Sequence, residues 1–137
     1  MQSRLIDVFF YGLFMDAESL TQKGFHPVNG RQALVSGMAL HIGRRATLMP
    51  DPTRCAHGVV FGLTHDEIDR LYAEPSVAAY RPEAVIAELA DRSRIAALCF
   101  NLPPSNEAEP SNPEYAEKLR IVANRLGLPA DYVASIR

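Results

Sequence analysis

The sequence predicts an α+β fold built on one mostly antiparallel, curved sheet. Three observations indicate this fold: about six segments rich in β-forming residues, connections that are mostly hairpins or short excursions, and glycines inside the strands. Two short helical patterns are inserted among the strands, and the C-terminal part is helical. Because glycine within a strand permits a sharp bend, the sheet should approach a barrel.

The N-terminal part predicts a strand, a turn and a short helix. Residues Arg4 to Phe10 are rich in β-formers, and a turn with aromatic and apolar residues follows them. Asp16 can cap a helix that runs to about Lys23, where Gly24 stops it.

The next part predicts three strands. Arg31 to Gly43 is a long strand candidate, and Gly37 in its middle indicates a bulge or a sharp bend. Arg44 to Met49 is a short strand candidate, ended by the segment Pro50 to Pro52. His57 to Thr64 is the third strand.

A helix and a hairpin follow. Thr64 and Glu67 have the spacing of a capping box, and apolar residues recur at helical spacing to about Tyr72. After a loop with two prolines, Glu83 to Leu89 and Arg94 to Phe100 alternate apolar and polar residues across a short polar turn. This pattern is typical of a β-hairpin.

The C-terminal part predicts a loop and two helices. Leu102 to Ser111 is polar and rich in proline, as surface loops are. Asn112 can cap a helix that has Pro113 at its first position, and Gly127 ends it. A last short helix is expected from Ala130 to Ile136.

Composition limits the function. The chain of 137 residues suits one domain, residues 1–137, and its net charge of −2 indicates no basic face for nucleic acid. No apolar run could span a membrane and no signal peptide is recognisable, so we expect a cytoplasmic protein. Cys55 and Cys99 form no CxxC pair, and the four histidines lack ligand spacing, so neither a disulfide nor a metal site is expected.

Glu74 is a candidate for proton transfer. It lies just past a helix end, before Pro75 and among small apolar residues. Desolvation there would raise the pKa of its carboxyl group and make it a better base near neutral pH. A solvated loop glutamate is the alternative, and the residues alone favour it because such glutamates are abundant on surfaces.

The turn at Tyr11 and Gly12 is a candidate binding element. A glycine turn after a strand can aim backbone N–H groups into a cleft, where they bind a carboxylate or a developing oxyanion. The alternative is an ordinary turn in which Leu13 and Phe14 fill the core. The residues alone favour the ordinary turn, since glycine is common in turns.

Two cationic segments could bind an anion. Arg81 follows Tyr80 in the loop after Glu74; Arg81 could pair with a substrate carboxylate, and the Tyr80 hydroxyl could donate a hydrogen bond at the rim of a pocket. Arg44 and Arg45 lie near a predicted strand end. A surface salt bridge is the alternative role for both segments, and it is favoured more for Arg44 and Arg45 than for Arg81.

Four segments together resemble a known family. They are a strand followed by YGLFM and a short helix, then GVVFGLT, then IDRLYAEPS with YRPEAV, and finally NPEYAEKL with GLPADYV. Their order and spacing over nearly the whole chain resemble the gamma-glutamylcyclotransferase-like family, which includes AIG2-like proteins and gamma-glutamylamine cyclotransferases.

The resemblance implies a small mixed, mostly antiparallel β-barrel with flanking short helices, a helical C-terminus and one cavity. It places the family's Tyr-Gly turn, here Tyr11, Gly12, Leu13 and Phe14, at that cavity, where backbone N–H groups bind the substrate. The family's catalytic glutamate follows an LDxxE helix end. In the corresponding segment IDRLYAE, the nearest glutamate is Glu74.

The implied activity is cyclotransfer on a small-molecule substrate. A gamma-glutamyl amide carries its own nucleophile, the α-amine, which attacks the side-chain carbonyl, forms 5-oxoproline and releases the amine partner. Glu74 would act as general acid and base. The reaction requires neither a metal nor an organic cofactor.

This chain departs from the family pattern at three positions. Leu13 replaces the usual Ser or Thr, Pro82 stands where arginine is common, and Pro75 replaces a frequent glycine. Three hypotheses follow: a cyclotransferase that uses Glu74, a binding module that keeps the cavity without turnover, and a different amide-processing reaction. The departures at Leu13 and Pro82 favour the binding module. An apolar lining of the cavity would suit the different amide-processing reaction.

Overall fold

The computed structural model describes residues 4–104 and 111–137, and its five strands close into a barrel in the order β1-β3-β2-β4-β5. The strands are β1 (Leu5–Phe10), β2 (Val28–Ile42), β3 (Ala46–Thr64), β4 (Arg81–Leu89) and β5 (Arg94–Asn101). Neighbouring strands pair antiparallel except β5 and β1, which meet in parallel at Val8 and Leu98. The predicted α+β fold with a mixed, mostly antiparallel barrel is confirmed.

Four helices flank the barrel, and three of them begin at the predicted caps. They are α1 (Ala17–Gln22), α2 (His65–Leu71), α3 (Pro113–Arg125) and α4 (Ala130–Ser135), and one turn of 3-10 helix (Leu13–Met15) precedes α1. The side chains of Asp16, Thr64 and Asn112 each accept a backbone N–H of the first turn, which confirms the three caps. None of these helices is long and apolar enough to cross a bilayer in the described residues.

β3 joins two segments that the sequence predicts as separate strands. The short strand expected from Arg44 to Met49 and the strand expected from His57 to Thr64 belong to one strand of 19 residues. Both halves pair with the single long strand β2, so Pro50 does not end the pairing. The prediction of about six strands is therefore wrong, and the described residues form five.

A bulge explains why Pro52 is tolerated within β3. The register of β2 against β3 shifts at Gly37, from the pair Ser36 and Cys55 to the pair Met38 and Pro50. Residues 51–54 therefore face no partner on β2, and a proline in such a bulge loses no ladder hydrogen bond. The bend predicted at Gly37 is confirmed, and its positive φ of 81° suits glycine.

The core fills the barrel and extends under the helices. The large side chains that are almost wholly buried include Phe9, Met15, Leu20, Leu63, Leu71, Leu119 and Ile136. Since β1 contributes residues to this core and then runs into the Tyr11–Phe14 turn, packing fixes the position of the turn. The predicted loop from Leu102 to Ser111 lies partly outside the described residues.

Candidate functional site

A cavity of about 320 Å³ opens where β1 ends. Its walls come from β1 and the turn after it, the β2–β3 turn, the end of α2 with the following loop, β5 and α3. The lining residues are Phe9, Phe10, Tyr11, Gly12, Leu13, Phe14, Arg44, Arg45, Ala46, Tyr72, Ser76, Val77, Tyr80, Phe100 and Tyr115. The whole predicted Tyr-Gly turn and Tyr80 are thus brought together at one cavity.

Tyr11 holds the turn against the barrel. Its side chain is buried, and its hydroxyl donates a hydrogen bond of 2.7 Å to the carbonyl oxygen of Phe100 on β5. Burial raises the pKa of the Tyr11 phenol, so the group stays neutral at physiological pH. Tyr11 therefore positions the turn rather than offering its hydroxyl to a ligand.

Tyr115 of α3 contacts the Tyr11–Phe14 turn, and it was not predicted as a site residue. Its hydroxyl lies 3.4 Å from the Leu13 backbone N–H and accepts a hydrogen bond from it. The same oxygen would be 2.7 Å from a Cβ atom added at Gly12, so the glycine makes room for the phenol. A hydroxyl that accepts from Leu13 keeps its own proton to donate. The chain thereby places a hydroxyl at a turn where Leu13 itself supplies none.

The turn also has unused donors. In the described residues, neither the Gly12 nor the Phe14 backbone N–H has a hydrogen-bond partner, whereas Met15 N–H donates to Gly12 O at 3.0 Å. Both residues are half-buried at the cavity, so a ligand oxygen that accepts from these N–H groups would stabilise the turn.

Part of the cavity wall is aromatic and joins the end of α2 to β5. The Tyr72 ring stacks on Phe100 with centroids 3.9 Å apart and an interplanar angle of 14°. Burial raises the pKa of the Tyr72 phenol, which keeps it neutral. Tyr80 lines the cavity, and its hydroxyl donates to the carbonyl oxygen of Ala46.

Glu74 lies outside the lining of the cavity. Its carboxylate pairs with the Lys23 ammonium at 3.3 Å, and its side chain is 40% exposed. The segment that carries it still touches the cavity, since Tyr72 precedes Glu74, and Ser76 and Val77 follow it. The structure therefore places Glu74 near the site with its charge directed to Lys23.

Arg81 also lies outside the lining. It is exposed at the start of β4, and its guanidinium donates to the carbonyl oxygens of Ala78 and Tyr80. The arginines that line the cavity are Arg44 and Arg45, which were expected to make surface salt bridges.

The described lining carries positive charge and no carboxylate. Two arginines, neutral tyrosines, one serine and apolar side chains make up the wall. No three potential metal ligands cluster anywhere in residues 4–104 and 111–137. Such a wall can bind an anionic group and an apolar group together, and it can donate hydrogen bonds to a carbonyl oxygen.

Residues 8–118 match the family described as "Gamma-glutamyl cyclotransferase, AIG2-like". The chain belongs to this family. Membership supports a cyclotransferase-like enzyme with a small-molecule substrate. A comparison with curated proteins found no match.

Solved structures show the same fold as this member of the family. One named gamma-glutamyl cyclotransferase is 18% identical with a TM-score of 0.81, over 98% of this chain and 89% of its own. The yeast gamma-glutamyl cyclotransferase specific to glutathione is 14% identical with a TM-score of 0.65, over 98% and 94%. YkqA from Bacillus subtilis is 24% identical with a TM-score of 0.75, over 96% and 52%.

Tyr72 lines the cavity but was not predicted as a site residue. Its position could have been read from the LDxxE pattern of the gamma-glutamyl cyclotransferase-like family. Counted strictly from Ile68, the fifth position of the pattern is Tyr72, and Glu74 comes two residues later. Tyr72 lines the cavity and Glu74 does not. A strict count of that spacing was the available signal; no comparable local signal marks Tyr115.

Proposed function

We propose that the chain cyclises a gamma-glutamyl amide in this cavity and releases 5-oxoproline and an amine. The α-amine nitrogen forms a bond to the side-chain carbonyl carbon, the original C–N amide bond breaks, and one proton passes from the attacking nitrogen to the leaving nitrogen. The observation that carries the proposal is the Tyr11–Phe14 turn at a cavity with arginines on its wall, in a chain of this family.

Confinement is the first contribution to the rate. The substrate contains both reacting groups, and the cavity needs only to hold it folded, with the amine against the carbonyl. Well-oriented intramolecular reactions gain about 7–11 kcal/mol from such positioning. A cavity of about 320 Å³ is of the size that encloses a small molecule.

Stabilisation of the oxyanion is the second contribution. The turn offers the Gly12 and Phe14 N–H groups, and Tyr115 offers its hydroxyl beside Leu13. Each donor aimed at a developing oxyanion contributes about 3 kcal/mol in enzymes that use this device.

Proton transfer is assigned to Glu74, whose carboxylate must turn from Lys23 toward the cavity. The ion pair is 40% exposed at the glutamate and 37% at the lysine, so breaking it costs little, about 0–1 kcal/mol. The arginines assist this step, because nearby cations and an apolar wall lower the pKa of a bound ammonium and favour the neutral, nucleophilic amine.

A second candidate function is ligand binding without turnover. It is favoured by a specific observation: the described lining contains no carboxylate, so no general base contacts the cavity in this arrangement of side chains. In that case the cavity holds an anionic metabolite, and the Glu74–Lys23 pair is part of the surface.

The experiment is a panel of gamma-glutamyl amides with detection of 5-oxoproline. We expect wild type to release product and Glu74→Gln to lose about 10²–10⁴-fold of the rate, as removal of a general acid/base does. Lys23→Met should keep or raise the rate, because it frees the carboxylate. Glu88→Gln is the matched control, since Glu88 is also in an exposed ion pair, with Arg94.

The outcomes separate the two candidates. Product release with Glu74→Gln at the wild-type rate removes Glu74 from the mechanism and leaves the cavity arrangement in place. Saturable binding with no product from any amide contradicts cyclotransfer and supports the binding function.

A further inference from the structure

Arg45 stands on the cavity wall at the turn between β2 and β3. Its side chain is half-buried, and its guanidinium carbon lies 5.9 Å from the centroid of the Tyr80 ring. The turn is closed by a hydrogen bond of 3.2 Å from Gly43 N–H to the Arg45 carbonyl oxygen. Arg45 therefore extends into the cavity from a closed turn and rests on an aromatic ring.

No carboxylate pairs with Arg45 within residues 4–104 and 111–137. Other arginines of the chain do have such partners: Arg31 pairs with Asp7 at 2.8 Å and Arg70 with Asp66 at 2.9 Å. A half-buried guanidinium without a carboxylate partner has lost part of its hydration, and no ion pair compensates for that loss. An anion brought into the cavity would supply the missing partner.

We propose that Arg45 binds the α-carboxylate of the substrate, an inference that rests on the proposed function. A guanidinium can bind both oxygens of a carboxylate through parallel N–H groups. The carboxylate then lies at the β2–β3 turn. The rest of the molecule packs on the aromatic wall of Tyr72 and Phe100, which carries no charge.

The arrangement selects a chemical class of substrate. The ligand must carry a carboxylate for Arg45 and an uncharged, apolar amine portion for the stacked rings. Amides of apolar amines fit this description, whereas an amine portion with further charges would leave those charges against Phe100 and Val77. Among residues that line the cavity, Arg45 is therefore a specificity-determining contact.

The orientation of Arg45 depends on Tyr80. The Tyr80 hydroxyl donates to the Ala46 carbonyl oxygen, one residue beyond Arg45, so the ring is held beside the same turn. This hydrogen bond fixes the Tyr80 ring under the Arg45 guanidinium and favours one orientation of the paired guanidinium N–H groups. Lysine at this position would keep the charge and lose the paired donors, so Arg45→Lys should recover only part of the binding.

The test is calorimetric binding, which needs no turnover. The probes are the gamma-glutamyl amide of an aromatic amine and its analogue with the α-carboxylate converted to a neutral carboxamide. The proteins are wild type, Arg45→Gln, Arg45→Lys and, as matched control, Arg54→Gln, whose side chain is 64% exposed on β3 and does not line this cavity. Turnover of the first probe is measured alongside.

We expect Arg45→Gln to weaken binding of the charged probe about ten- to a hundredfold, the usual range for a lost hydrogen-bonded charge partner. The carboxamide should bind weakly to wild type and equally weakly to Arg45→Gln, and Arg54→Gln should match wild type with both probes. Equal binding of the charged probe to wild type and Arg45→Gln overturns the inference, as does an equal loss for both probes or no binding to wild type.

This design separates the inference from the proposed function. If the charged probe binds through Arg45 but no product forms, the role of Arg45 is supported and cyclotransfer is contradicted. Product formation with unchanged binding by Arg45→Gln supports cyclotransfer and contradicts the role of Arg45.

Discussion

At the scale of single residues, the candidate site depends on a tyrosine far from the turn in sequence. The Tyr115 hydroxyl lies against the Leu13 N–H across 102 positions of the chain, and burial raises the pKa of its phenol. A neutral phenol can accept from Leu13 and donate into the cavity at once. Tyr115 is thus placed to replace a hydroxyl that Leu13 does not carry.

We expect Tyr115→Phe to lower kcat about tenfold or more with a small change in KM, because the lost donor acts mainly on the developing oxyanion. Stability should fall by about 1 kcal/mol, since the Leu13 N–H loses its acceptor. Steady-state kinetics and urea unfolding measure the two effects.

Tyr132→Phe is the control for that substitution. The Tyr132 hydroxyl is buried without a hydrogen-bond partner in the described residues and lies outside this cavity. Removing it should leave kcat unchanged and stability equal or higher. A kcat for Tyr115→Phe equal to that of wild type would contradict the proposed role of Tyr115.

At the scale of elements, α2 is fixed at its start by one carboxylate. Glu67 is 7% exposed and accepts hydrogen bonds from the Thr64 N–H at 3.0 Å, the Thr64 hydroxyl at 3.1 Å and the His26 N–H at 2.7 Å. Thr64 in turn accepts from the Glu67 N–H. The capping box predicted from the sequence therefore also joins α2 to the segment that follows α1.

These bonds predict a pH-dependent contribution to stability. Burial alone would raise the pKa of Glu67, but the hydrogen bonds from Thr64 and His26 outweigh it and hold the pKa below its usual range. With a folded pKa below the unfolded one, the stabilisation is complete above the unfolded pKa, about 4.3, and is lost as pH falls through the folded pKa.

Glu67→Gln should therefore lower the free energy of unfolding by about 1–3 kcal/mol at pH 7. The difference from wild type should shrink on acidification through the lowered pKa. Urea unfolding of wild type and Glu67→Gln at several pH values measures this difference. Glu18→Gln is the control, since Glu18 is exposed in α1. A difference that stays constant down to pH 3 would argue against the ionised carboxylate as its source.

At the scale of the whole molecule, barrel closure brings the lining residues together. β1 lies between β3 and β5, and β1 packs so closely on β3 that a Cβ atom at Gly58 would be 2.1 Å from the Phe10 carbonyl oxygen. That oxygen is backbone and cannot move aside. Because Phe10 leads directly into Tyr11 and Gly12, the same contact sets the position of the turn.

Gly58→Ala should destabilise the protein by about 3 kcal/mol, at the upper end of the cost of overpacking, because strands β1 and β3 must separate. Gly62→Ala on the same strand is the matched control, since the atom nearest to its Cβ would be a Val28 methyl carbon at 3.2 Å. Gly62→Ala should lower the free energy of unfolding by less than Gly58→Ala does. Equal urea midpoints for the two variants would show that β1 accommodates the methyl group.

Most of the helices and strands, and three of the helix caps, could be predicted from the sequence alone. These properties depend on neighbours in the chain: Asn112 with Pro113 starts α3, Thr64 with Glu67 starts α2, and Gly37 marks the bulge. Local spacing carries that information because a helix turn or a strand pleat involves residues a few positions apart. The ends of β3 were missed because pairing with β2, which is not local, continues through Pro50.

The sequence did not predict which arginines line the cavity, or that Tyr115 reaches the turn. Arg45 rather than Arg81 is on its wall, Tyr115 reaches the turn from α3, and Glu74 pairs with Lys23 across 51 positions of the chain. These contacts could not be predicted because a side chain's partner is set by which surfaces meet when the barrel closes. Sequence spacing specifies each element, whereas the ion pairs and hydrogen bonds of this site join different elements.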